Sequence, residues 1–180
     1  MKRIIFILAL ICNLTFAICN CSSQWSQVSL PVTGTIQKVQ FVNPNTGWSM
    51  IKESSTKFTL IRTSDGGLNW TPIFSDSTKV MRFQFIDDSI GYGMGMAYVN
   101  DLLLKTSNGG YNWTVMQSSS SYALSGFYFV NADTGYFNAF VFPGYNTYRT
   151  TNGFQSYEIV STEVGGSPSS IFFFKEPYNG

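Results

Sequence analysis

Val39–Met50 reads VQFVNPNTGWSM, Phe83–Met94 reads FQFIDDSIGYGM, Phe127–Asn138 reads FYFVNADTGYFN, and Ile171–Gly180 reads IFFFKEPYNG. The phenylalanines that anchor these stretches, Phe41, Phe85, Phe129 and Phe173, are each 44 residues apart. A regular period of roughly 20 to 50 residues is the mark of a solenoid, propeller or array. In every copy an apolar run ends in a polar turn, and the glycine of that turn (Gly47, Gly91, Gly135) is followed by an aromatic. That pattern is a β-strand entering a hairpin.

Each copy carries a second signature further on. Thr63-Ser-Asp65-Gly-Gly67-Leu-Asn-Trp70 is matched by Thr106-Ser-Asn108-Gly-Gly110-Tyr-Asn-Trp113 and by a decayed Thr150-Thr-Asn152-Gly-Phe-Gln-Ser-Tyr157. Asp-Gly or Asn-Gly between β-prone runs predicts a tight turn, because glycine tolerates positive φ and the Asx side chain bonds nearby amides. The Trp then covers the turn with apolar surface. One copy therefore reads as strands near Gln37–Val42, Gly47–Lys52, Phe58–Thr63 and Leu68–Ile73. No segment sustains a 3.6-residue apolar period, so no substantial helix is expected.

Four short antiparallel strands per repeat make the blade of a β-propeller, and the fold class is all-β. The predicted blades are 37–80, 81–124 and 125–168, with the start of a fourth at 169–180. Counted from Cys21, about 3.6 copies are present, fewer than the roughly 4 to 8 blades of closed rings, so a fragment of a larger ring is expected. Segment 21–36 is read as a linker holding a lone closing strand, Gln24 to Ser29, because Trp25 precedes Phe41 by the same 16 residues that separate Trp113 from Phe129.

The Ser/Thr-x-Asp-x-Gly-x-x-Trp box resembles the Asp-box of BNR repeats. The whole copy is most similar to the propellers of the photosystem II assembly and stability factor family, and the similarity spans residues 25 to 180. The resemblance implies the propeller fold. It leaves function open, since the same blade builds sialidases, xyloglucan-degrading hydrolases and sortilin-type receptors. In all of them the box is a fold-building turn on the outer rim, which assigns that role here to Thr63, Asp65, Gly67, Trp70, Thr106, Asn108, Gly110, Trp113, Thr150, Asn152 and Tyr157.

Composition removes several kinds of chemistry. The 180 residues include no histidine, which excludes a Ser-His-Asp or Cys-His nucleophile and an HExxH zinc site. A formal charge of +1 offers no electrostatic footprint for nucleic acid. The first 20 residues read as an export signal: Lys2 and Arg3 precede Ile4 to Cys12, an apolar run too short to span a bilayer. Thr15-Phe16-Ala17 suits ordinary signal peptidase, and Ile18-Cys19-Asn20-Cys21 suits lipoprotein processing with Cys21 as the lipidation candidate. Both place the protein outside the cytoplasm of a bacterium, with a membrane contact only through that possible lipid.

Antiparallel connectivity puts the Asp-boxes at one end of the ring and the second-to-third and fourth-to-first strand loops at the other. A ligand is expected at the second end, where Lys57, Asp76, Tyr98, Asp101 and Tyr145 lie on scattered loops. Sialidase chemistry needs an arginine triad, which the sequence lacks. Arg62, Lys105 and Arg149 instead recur at one repeat position before each box, and Arg82 repeats Lys38, as expected of residues that serve the blade. Asp87 and Asp88 sit in a turn at the Asp-box end. One carboxylate, Asp65, with amides at its equivalents makes poor calcium chemistry, so no metal, cofactor or catalytic residue is expected. The expected function is an exported interaction or assembly scaffold with a protein or glycan partner; the alternative is a fragment of a propeller glycoside hydrolase or carbohydrate-binding propeller.

Overall fold

A computed structural model of the chain describes residues 27–75, 79–97, 100–119 and 123–164. Twelve strands form three four-stranded antiparallel sheets, each in simple sequence order. The first holds β1 (Thr35–Phe41), β2 (Gly47–Lys52), β3 (Phe58–Thr63) and β4 (Thr71–Ser75). The second holds β5 (Lys79–Phe85), β6 (Gly91–Ala97), β7 (Asn100–Thr106) and β8 (Thr114–Ser119). β9 (Ala123–Phe129), β10 (Gly135–Val141), β11 (Gly144–Thr150) and β12 (Glu158–Val164) make the third. These are propeller blades, and the described residues contain no helix.

The repeat signature has a direct structural cause. In each blade the anchor phenylalanine pairs across the first hairpin with the turn glycine: Phe41 with Gly47, Phe85 with Gly91, Phe129 with Gly135. The phenyl ring lies flat over that glycine, so a Cβ there would fall 2.6–2.7 Å from ring carbons. The aromatic after the glycine then reaches into the next blade. Trp48 stacks on Phe85 with ring centroids 3.7 Å apart, and Tyr92 stacks on Phe129 at 3.3 Å. Two cores result, one between blades 1 and 2 around Trp48, Leu60, Phe83 and Phe85, the other between blades 2 and 3 around Tyr92, Leu103, Phe129 and Phe137.

Two features depart from the sequence reading. The fourth strand of blade 1 starts at Thr71, not near Leu68, because residues up to Trp70 are held in the box turn and Leu68 stays 73% exposed. First and last strands of every blade also carry a register shift that leaves one residue unpaired: Gln37, Met81 and Ser125 on the first, Ile73, Met116 and Val160 on the last. Such bulges bend a strand and re-aim its side chains. The export signal at 1–20, Cys21 and the fourth copy at 169–180 lie outside the described residues. So does most of the lone strand, of which Gln27 to Ser29 are described and are irregular.

Candidate functional site

The Asp-box is a closed local network. Asp65 Oδ1 accepts from the Asn69 amide at 2.9 Å and from Thr63 Oγ1 at 2.8 Å, while its Oδ2 accepts from Asn69 Nδ2 at 2.8 Å. Thr63 Oγ1 in turn accepts from Gly67 N at 2.9 Å, and Trp70 Nε1 donates to the Gly67 carbonyl at 3.0 Å. Asn69's backbone amide, then its side chain, then Thr63 draw the Asp65 carboxyl down to about 2. The second box repeats the Oδ1 bonds, with Asn108 Oδ1 accepting from Thr106 Oγ1 and from Asn112 N, both at 3.0 Å, and with Trp113 folded onto Gly110. In the third, Asn152 accepts from Ser156 N at 2.9 Å. The bonds common to all three boxes need only one sp² oxygen at this position, which is why Asp and Asn interchange. Phe154 replaces the glycine at φ 73 and buries its ring against Phe129 and Phe137, while Tyr157 packs edge-on to Phe137.

Each box also ties to the first turn of its own blade. Gly66, Gly109 and Gly153 donate their N–H groups to the carbonyls of Asn45, Ser89 and Asp133 at 2.8–2.9 Å. Boxes and first turns therefore share one end of the blades.

The residues expected at the opposite end are not gathered. Lys57 pairs with Glu53 at 2.7 Å on blade 1. Asp101 lies inside β7, where its carboxylate accepts from Leu124 N at 2.7 Å and holds the entry to blade 3. Tyr145 lies inside β11 because the preceding hairpin is only Phe142-Pro143, and its ring sits 5.0 Å from Phe140. Asp76 and Tyr98 fall outside the described residues.

The concave feature with chemical content is the wall made by the first strands, β1, β5 and β9. Gln40 Nε2 donates to the Phe85 carbonyl at 2.8 Å while its Oε1 accepts from Phe85 N at 3.0 Å. Gln84 does the same to Phe129, at 2.8 Å both ways. Each amide acts as a rung of backbone pairing between blades. Just before the glutamines, Lys38 Nζ donates to the Phe83 carbonyl at 2.7 Å and Arg82 Nη1 to the Ser125 carbonyl at 2.7 Å. Burial lowers the Lys38 pKa, while the ammonium also lies 5.1 Å from the Phe83 ring centroid. A concavity of about 450 Å³ opens here, lined among others by Lys38, Val39, Gln40, Arg82, Phe127 and Tyr128. The sequence does carry its signal, the recurrence of Lys38/Arg82 and Gln40/Gln84 at the repeat spacing, but not the direction of these side chains across the blade boundary.

The family profile described as "Photosynthesis system II assembly factor YCF48" matches residues 18–171. The chain belongs to that family. No curated protein sequence matches it. Solved structures share its fold: a YCF48 bound to a D1 peptide aligns at a TM-score of 0.58 and 21% identity over 77% of this chain and 44% of that one. YCF48 from Cyanidioschyzon merolae aligns at 0.53 and 22%, covering 78% and 44% of the two chains. A GH74 enzyme from Niastella koreensis aligns at 0.51 and 17%, covering 70% and 22%. The chain thus spans less than half the length of each of these structures.

In this YCF48-family chain the recurring cations before the boxes are built into blade contacts. The Arg62 guanidinium lies 5.6 Å over Trp48, and Lys105 Nζ lies 5.3 Å over Tyr92. Arg149 approaches Glu158 at 3.7 Å. Among the described residues no cluster of His, Cys, Asp and Glu has the makings of a metal site.

Proposed function

We propose that this chain is an exported, non-catalytic propeller that serves as a scaffold for a protein partner in a bacterial envelope. The observation that carries the reading is the use to which the polar side chains are put. Glu53 is held by Lys57 and Thr59, Asp65 by its own box, Asp88 by Asn43 and Asp101 by the Leu124 amide. Asp87 caps the amides of Ser89 and Ile90. Carboxylates engaged in turns and blade junctions are poor candidates for the opposed acid and base of a glycosidase. Family membership supports an assembly role, and the relative solved with a D1 peptide supports a peptide-like partner. Cys21 is the proposed lipid attachment point, with ordinary signal cleavage as the other route to the same compartment.

The fold shared with the GH74 enzyme favours one second reading, a piece of a carbohydrate-active propeller. Incubation of the chain with xyloglucan and with sialyl-conjugates separates the two, alongside crosslinking in envelope extracts. The scaffold reading expects a reproducible crosslinked protein partner and no sugar release. Release of reducing sugar above a heat-inactivated control overturns it.

A further inference from the structure

Every Asx-Gly pair among the described residues lies in a box: Asp65-Gly66, Asn108-Gly109 and Asn152-Gly153. Such a pair is prone to cyclise, because a glycine nitrogen with no side chain beside it reaches the Asx side-chain carbonyl easily. The box cannot do without it. Its Asx oxygen carries the turn, and Gly109 and Gly153 stand at φ 69° and 64°, in the left-handed region that glycine enters at no steric cost. At Gly109 a Cβ would also fall 2.8 Å from the Asp88 carbonyl oxygen. The fold commits both reacting groups elsewhere. Gly66, Gly109 and Gly153 donate their N–H groups to the carbonyls of Asn45, Ser89 and Asp133, so the lone pair that each nitrogen would attack with is aimed at a first-turn oxygen. Asn108 Oδ1 accepts from Thr106 Oγ1 and Asn112 N, both at 3.0 Å. Asn152 Oδ1 accepts from Thr150 Oγ1 at 3.1 Å and Ser156 N at 2.9 Å. Bonds to Oδ1 polarise the carbonyl, but they also fix its orientation.

We propose that Asn108 and Asn152 are deamidation sites locked by the box, where conversion proceeds only when the box opens locally. In the reaction the glycine nitrogen bonds to the Asn Cγ, its proton leaves with the side-chain nitrogen as ammonia, and a five-membered succinimide remains. Water then opens that ring at one carbonyl to give aspartate or at the other to give isoaspartate. The two products differ in fit. Box 1 displays the aspartate form, with Asp65 making the same Oδ1 bonds, so an aspartate at position 108 is accommodated. Isoaspartate inserts an extra carbon into the backbone and breaks the spacing of the turn. Asp65 itself can cyclise with water as the leaving group, which needs the protonated acid. Its carboxyl, drawn to about 2 by the Asn69 and Thr63 bonds, is protonated more rarely at neutral pH than in the unfolded chain. The proposal does not rest on the scaffold reading; it concerns how long the boxes stay chemically intact.

The test incubates the full chain at pH 8, folded and in guanidinium, and follows each Asx-Gly peptide by mass spectrometry. Water enriched in heavy oxygen labels every ring opening, so Asp65 is read along with the asparagines. Asn179-Gly180, outside the described residues, is resolved as a peptide of its own. Closing the ring at Asn108 gives up three hydrogen bonds, each worth about a threefold to tenfold factor, so the folded protein should convert at least about tenfold more slowly than the unfolded one. Thr106→Val removes the hydroxyl that holds Asn108 Oδ1 and Gly110 N. It should speed conversion at Asn108 about threefold or more and leave Asn152, in the same molecule, unchanged. Thr106→Ser keeps the hydroxyl and should restore the slow rate. Circular dichroism melts identify the variants that fold. Equal rates at Asn108 and Asn152 in folded and unfolded wild type overturn the proposal whatever the variants do. A folded Thr106→Val protein in which the two asparagines respond alike also overturns it, since any protection would then come from the stability of the whole propeller and not from the box.

Discussion

Tyr92 is the rivet between blades 2 and 3, and replacing it separates two contributions. Its side chain is fully buried, its ring lies parallel to Phe129 at 3.3 Å, and its hydroxyl donates to the Ala132 carbonyl at 2.6 Å. Tyr92→Phe keeps the stack and loses the hydroxyl, which should cost about 0.5–1.5 kcal/mol, the net worth of one hydrogen bond. Tyr92→Leu and Phe129→Leu each remove half of the stacked pair. The double variant should then lose about 0.5–1.5 kcal/mol less than the sum of the singles, because one aromatic contact is lost only once. Urea unfolding followed by tryptophan fluorescence measures the four variants and the wild type. The phenol also makes stability depend on alkaline pH. Burial first, and the nearby Asp133 charge second, push the Tyr92 pKa up to about 12, above the value of about 10 for an unfolded tyrosine. A raised folded pKa means the contribution is complete below pH ~10 and is lost as pH climbs towards ~12. Wild type should therefore lose more stability than Tyr92→Phe across that interval. Additivity of the two leucine variants within about 0.3 kcal/mol, together with identical alkaline profiles for wild type and Tyr92→Phe, would refute this account of the junction.

Four further outcomes are expected. Gln84→Leu strips Phe129 of both backbone partners and should cost about 1–3 kcal/mol for each group left unsatisfied, read by thermal melting. Gly110→Ala places a Cβ 2.9 Å from Leu60 Cδ2 at a φ of 93°, so a drop of about 1–3 kcal/mol is expected in denaturant unfolding. Asp65→Asn supplies the same acceptor oxygen without a titrating group: since the folded carboxyl sits at about 2, its stabilisation is present above the unfolded pKa and is lost as pH falls towards 2, and the variant's melts at pH 7, 4 and 2.5 should lack that loss. Cys21→Ser, compared with wild type by membrane fractionation in a bacterial host, should move the product from the membrane to the soluble fraction; a wild type that is already soluble argues for ordinary signal cleavage.

The blade is legible from the amino-acid sequence. The 44-residue spacing of Phe41, Phe85 and Phe129, with glycine and an aromatic after each turn, fixes the first hairpin, and the second and third strands of blade 1 fall where the alternation places them. The box was equally legible, because its bonds run between residues no more than four apart and need only the right side chain at the right offset. The contacts that cross between blades follow from the packing of the sheets. Gln40 meets Phe85 and Gln84 meets Phe129 over 45 residues, and Asp101, expected on a ligand-facing loop, holds Leu124 from 23 residues away. Such pairings depend on the bulges at Gln37, Met81 and Ser125 and on how neighbouring sheets pack, and a shift of one residue along a strand sends every side chain to the other face. The wall with Lys38 and Arg82 is therefore a property of three packed blades, and no single repeat contains it.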